Sequence, residues 1–264
     1  MAELSQILKE CDGAPFCELP FCHTVEAEAM GGIINYGNEK TGPRAKEYLC
    51  TDIEEILELP AIDFEKGRIQ EVLKACRILQ ERGEHIVFEV SGPLTILNVL
   101  IDPKYVFKGM RKKPELMAQI FAKLGKEILA YMECAKEHGA DLISYADSSG
   151  GVNILGPKMA EQMVDLFSYD FVKRAEKLAD EHTMILLCPK TTFALLGTGK
   201  AELVDRQINN DTVQEEDMSR EKDTLSYAEA CIRMKGKIDL AGQMCIKNLD
   251  YRIKNGIMKE VHIL

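Results

Sequence analysis

The chain has no tryptophan, no Cys-x-x-Cys pair and no run of 18 or more apolar residues. Without tryptophan, and with aromatic residues at only 6%, there is no stacking platform for nucleic-acid bases. Without Cys-x-x-Cys, zinc-ribbon and thioredoxin-like readings have no support. Without a long apolar run, no membrane-spanning helix is expected. The first residues, MAELSQILKECDG, contain acids and lack the basic start and apolar centre of a secretory signal. A cytoplasmic protein is therefore expected. A positive charge excess is also missing: 33 Lys and Arg stand against 43 Asp and Glu, a formal net charge of −10. That balance disfavours a nucleic-acid partner. The one dense basic cluster, Lys108, Arg111, Lys112 and Lys113, reads as a helix end beside Pro114. Neither G-x-G-x-x-G after a strand nor G-x-x-x-x-G-K-[ST] occurs, so nucleotide-binding readings are unsupported.

What is present is a chain of 264 residues that is 46% hydrophobic, read as one domain of barrel size over 1–264. Its nine cysteines are odd in number and suit a reduced compartment, where most act as small buried hydrophobes. Seven segments read as strands: 16–24, 85–91, 140–147, 183–188, 201–207, 238–244 and 259–264. Helices are expected over 3–10, 64–82, from Pro93, 114–138, from Pro157 to about 181, and 225–235. Residues 33–36 and 45–49 flank a Gly- and Pro-containing turn and read as a hairpin. The polar stretch 209–223 reads as a lid or a solvated loop. Strands alternating with helices argue an α/β fold with a parallel sheet. The strand number favours a TIM-type (β/α) barrel, distorted or incomplete, over a doubly wound sheet.

The candidate site is organised around Gly139–Gly151, GADLISYADSSGG. An acid at the carboxyl end of a buried parallel strand points to where ligands bind. Asp147 is therefore a catalytic candidate; its other reading is a cap or turn residue. Cys188, before Pro189 at a second strand end, is either a pocket thiol or a structural cysteine. His23 ends the first strand. Glu26 faces a pocket or favours a helix N-terminus. Asp205 and Arg206 adjoin at a strand end and either contact substrate or form an ordinary ion pair. Ser91, Ser148 and Gln243 complete the strand-end candidates for substrate binding.

Several stretches together carry a family resemblance. FCHTVEAEAMGG (21–32), VSGPLTIL (90–97), GADLISYADSSGG, LGPKMAEQM (155–163), LLCPKTT (186–192) and GQMCIKNLD (242–250) resemble segments of the uroporphyrinogen decarboxylase superfamily. The nearest branch is that of the methylcobalamin:coenzyme M methyltransferases. The resemblance implies a TIM barrel, and a zinc site that holds a thiol as thiolate. It also implies a methyl group taken from a corrinoid carried by a partner protein, with a small thiol or a pterin as acceptor. Where that branch has H-x-C, this chain has Leu186-Leu187-Cys188, and the branch's later cysteine would fall beyond Leu264. Cys188 alone is carried over by position. Cys245, His23 or Asp147 would have to complete a metal site, because one thiolate cannot hold zinc. Two other functions stay open. One is a non-catalytic homologue that binds a corrinoid protein or a methyltransferase. The other is porphyrinogen decarboxylation, which needs arginines converging on a polycarboxylate, whereas the strand-end loops here are poor in arginine. An incomplete barrel would expose strand edges, so a homo-oligomer or a covering partner is expected.

Overall fold

The computed structural model describes residues 1–208 and 225–264, so the lid-or-loop expectation for 209–223 lies outside the described residues. Its strands are β1 (Cys17–Leu19), β2 (Ile33–Asn35), β3 (Arg44–Glu47), β4 (Ile86–Ser91), β5 (Leu142–Ala146), β6 (Met184–Leu187), β7 (Ala201–Gln207), β8 (Leu240–Ala241) and β9 (Ile257–Ile263). The seven expected strand segments supply one seven-stranded sheet, in the order β1-β4-β5-β6-β8-β9-β7. β2 and β3 form the separate antiparallel hairpin. β1, β4, β5, β6 and β8 run parallel, and β9 is antiparallel to both β8 and β7. The mostly parallel α/β sheet with helical crossovers bears out the barrel reading in its distorted form. β7, which precedes β8 in sequence, is displaced outward beyond β9.

The two-residue period of the strands sorts their side chains onto two faces. Phe88, Val90, Ile143, Tyr145, Ile185 and Leu187 join one large buried cluster with the surrounding helices. Val87, Leu142, Met184, Leu186 and Ala241 join a second, with the helix Tyr227–Met234 and with Ile246, Ile253 and Met258. Helix Gly67–Glu81 buries Ile69, Val72, Leu73, Cys76 and Leu79, the stripe its periodicity dictates. No described helix is long and apolar enough to cross a membrane.

Three elements differ from the expectation. β1 stops at Leu19 because Pro20 has no N–H to extend the ladder. β9 reverses rather than running parallel: residues 242–256 contain no helix to carry a crossover, and Asn255 and Gly256 turn the chain at positive φ. The helix from Pro157 is broken by a π-helical turn at Val164–Ser168. That turn brings Phe167 and Phe171 into a stacked pair at 4.8 Å, which also touches Phe121 and Tyr145. Tertiary packing of aromatic rings outweighs regular helical bonding there.

Candidate active site

The carboxyl ends of β1, β4, β5, β6 and β8 point one way, so the segments leaving them form one face. His23 lies on the segment leaving β1, with its Nδ1 2.8 Å from Glu89 Oε1 of β4. The contact is not aligned as a hydrogen bond, so both buried atoms lack a hydrogen-bond partner. Glu89 is buried, while the His23 side chain is 38% exposed. The Glu89 carboxylate raises the His23 pKa above its ordinary 6.5, outweighing the opposing effect of burial. Burial pushes the Glu89 carboxyl up, but His23 and then Lys247 outweigh it and hold the group below its usual range. Lys247 bridges the second Glu89 oxygen at 3.2 Å and Glu18 Oε1 at 2.6 Å. These side chains line up because Glu18 and Glu89 lie on the face of the sheet that carries Val87. A cleft of about 320 Å³ opens beside Glu18 and Lys247, lined also by Leu8, Phe16, Phe21 and Leu249, with His23 and Glu89 outside its lining. A larger cleft of about 700 Å³ lies among the outer helices near Met110 and Met159 and holds none of the expected site residues. Size alone therefore does not locate the chemistry.

Glu26 is buried and ties its short helix to β4: Ser91 N donates to Oε1 at 2.6 Å and Ser91 Oγ to Oε2 at 3.1 Å. Burial raises its pKa despite these bonds. Beside it, Arg68 binds Thr24 Oγ1 at 2.7 Å and Glu28 at 2.5 Å, closing the helix against the strand-end loop.

Asp147 is 4% exposed. Its Oδ1 accepts from Thr95 N at 2.8 Å and Thr95 Oγ1 at 2.9 Å, and Oδ2 accepts from Leu94 N at 3.4 Å. It thus caps the helix Pro93–Leu100 from a neighbouring strand end, meeting the free N–H groups of its first turn. Burial lifts its pKa from 3.8 to about 6. Gly92 packs directly against it: a Cβ there would lie 2.3 Å from Asp147 Cβ. Gly92→Ala should destabilise the fold by about 1–3 kcal/mol, read as a lower urea midpoint with unchanged slope; an unchanged midpoint would contradict this packing. Ser148 follows, with its Oγ 3.3 Å from Thr95 Oγ1 and its carbonyl accepting from Lys190 Nζ at 2.6 Å.

The remaining candidates are not drawn into this network. Cys188 is half-buried at the start of helix Pro189–Gly197, with Sγ 3.3 Å from Thr191 Oγ1. Cys245 is exposed. Gln243 donates to Tyr251 OH at 2.7 Å, leaving its buried Oε1 without a partner. Asp205 pairs with Lys259, and Arg206 with Glu260 at 2.5 Å, both across to β9. These are the ordinary ion pairs of the alternative reading. Among the described residues no three His, Cys, Asp or Glu side chains gather to hold a metal ion. Cys188, Cys245 and His23 therefore do not form the expected zinc ligand set, and the described residues do not fit zinc. The strand ends bring these residues to one face but do not gather three such side chains at one point. Sequence reading missed Glu89, Lys247 and Glu18. An acid inside the apolar strand IVFEVS was the available signal for Glu89, since buried acids are rare unless paired. Nothing local marks Lys247.

Comparison with known proteins gives consistent relatives. The family model described as uroporphyrinogen decarboxylase (URO-D) matches residues 13–220. The methylcobamide:CoM methyltransferase MtaA of Methanosarcina barkeri (strain Fusaro / DSM 804) is 30% identical over 167 residues, 62% of this chain and 49% of that protein. A second Methanosarcina barkeri MtaA is 28% identical over 198 residues, 74% of this chain and 57% of its own length. A solved methyltransferase from Methanosarcina mazei superposes with a TM-score of 0.63 at 26% identity, over 76% of this chain and 59% of that one. The chain spans about half the length of the curated relatives it matches.

Proposed function

The chain belongs to the uroporphyrinogen decarboxylase family, and from that membership we propose that it moves a methyl group between a corrinoid protein and a small thiol or pterin acceptor. Relatives named methylcobamide:CoM methyltransferases support the reaction class. The observation that carries the reading is the half-exposed His23 imidazole against buried Glu89, at the sheet end where parallel α/β folds bind ligands.

No step runs through zinc. In this reading the acceptor sits in the cleft beside Glu18 and Lys247, and His23 Nε2 takes its S–H or N–H proton. The Glu89 carboxylate, 2.8 Å from Nδ1, stabilises the imidazolium that forms. Lys247 keeps Glu89 ionised. A methyl-corrinoid on a docked partner protein would supply the methyl group as an electrophile: as the acceptor's sulfur or nitrogen bonds to it, the cobalt–methyl bond would break and its electron pair would stay with the corrinoid. Exposed Phe21, Val152, Ile154 and Phe193, on segments leaving the ends of β1, β5 and β6, offer the apolar surface a corrinoid face would cover. Asp147 and Glu26 hold the framework, and neither is a reacting group.

The test is thiol-dependent demethylation of methylcobalamin, followed by absorbance, with CoM and other small thiols and with chelator present. Turnover that persists with chelator is expected. No thiol-dependent demethylation by the folded protein would sink the proposal, and turnover abolished by chelator would return zinc to the mechanism.

A further inference from the structure

The far edge of the sheet is β7, whose one hydrogen-bonded neighbour among the described residues is β9. The side that faces away from β9 can be read from the ladder. Leu264 N donates to Lys200 O at 3.0 Å, and Ile208 N to Gly256 O at 2.8 Å. Both fall in the register that sets Ala201 opposite Ile263 and Gln207 opposite Ile257. Hydrogen-bonded pairs alternate along an antiparallel ladder, so Glu202, Val204 and Arg206 bond to β9. The N–H and C=O groups of Ala201, Leu203, Asp205 and Gln207 point outward.

We infer that this edge pairs with the same edge of a second copy, antiparallel and centred on Val204. That register sets Ala201 opposite Gln207 and Leu203 opposite Asp205 of the other chain, so every outward backbone group of those residues finds a partner. It also sets Glu202 opposite Arg206, twice by symmetry, in the non-hydrogen-bonded pairs where side chains approach most closely. The two Val204 side chains meet on the axis. The two Leu203 side chains, each 36% exposed in the single chain, become diagonal neighbours. Each Arg206, which already holds Glu260 of its own chain, lies between two acids. Protected edges carry repelling charge, proline or a bulge; this strand carries charges that complement their own two-fold image. The opposite edge offers no equivalent, because β1 has three residues and ends at Pro20. A closed two-fold pair is the contact such a self-matching strand forms.

Sedimentation of the full chain tests this. The wild type should run at twice its 29.6 kDa chain mass. Glu202→Lys and Arg206→Glu each place like charges at both symmetric contacts and should weaken association roughly tenfold or more. Mixed together, the two variants restore opposite charges at both contacts and should form a heterodimer. Leu203→Pro removes only an outward N–H and should give a folded monomer. A monomeric wild type, a folded Leu203→Pro chain that stays dimeric, or two folded charge variants that do not associate on mixing would overturn the proposal.

Discussion

His23→Gln should lower thiol-dependent methyl transfer by about 10²- to 10⁴-fold, the range of a positioned general base. The loss should fall on kcat, because glutamine fills similar space but cannot accept a proton at neutral pH. Lys247 still faces Glu89 in the variant, so the buried acid keeps a cation and the fold should survive, checked by circular dichroism. The pH profile separates proton transfer from shape. A base must be neutral to act, and Glu89 raises the His23 pKa above 6.5, so the acid limb of kcat/KM should have its midpoint above that value. Glu89→Gln removes the raising charge. The limb should then move towards 6.5, with a smaller rate loss than His23→Gln gives. Full activity in His23→Gln, or an acid limb indifferent to Glu89, would remove His23 from the reaction.

The second large effect is on stability. Asp147 titrates at about 6 in the folded chain against 3.8 for an ordinary carboxyl. Its folded pKa is raised, so its contribution to stability is full below about 4 and is lost as pH rises through about 6. Two pKa units correspond to roughly 3 kcal/mol. Asp147→Asn cannot ionise and should lack this component, so the difference between wild-type and variant unfolding free energies should change across pH 4–6 and be flat outside it. Asp147→Ala strands the N–H groups of Leu94 and Thr95. It should be destabilised by about 2–4 kcal/mol below about pH 4, and by less as pH rises through about 6, because alanine cannot ionise either. A wild-type minus Asp147→Asn difference without pH dependence would contradict a buried, ionisable cap. Methyl transfer retained in Asp147→Asn is expected, because both carboxyl oxygens already serve the helix.

The sequence by itself determined most of the framework. All seven expected strand segments enter the sheet, and the apolar stripe of Gly67–Glu81 is the one observed. Both results rest on local periodicity, since a side chain's position in a strand or helix sets its face. Family membership was likewise legible, because motifs such as TVEAEA and GADLISYAD are contiguous. Strand direction and order at the far side were not. β9 reverses and β7 moves outward according to what residues 242–256 can span, which no local pattern encodes. The site divided in the same way. His23 was readable as the polar end of an apolar strand, but its partner Glu89 lies 66 positions on and Lys247 far beyond. Asp147 was readable as a strand-end acid; only the packing of Gly92 beneath it turned that acid towards a helix terminus. Cys188 and Cys245 suited a metal by residue type, yet coordination depends on distances that tertiary structure alone decides.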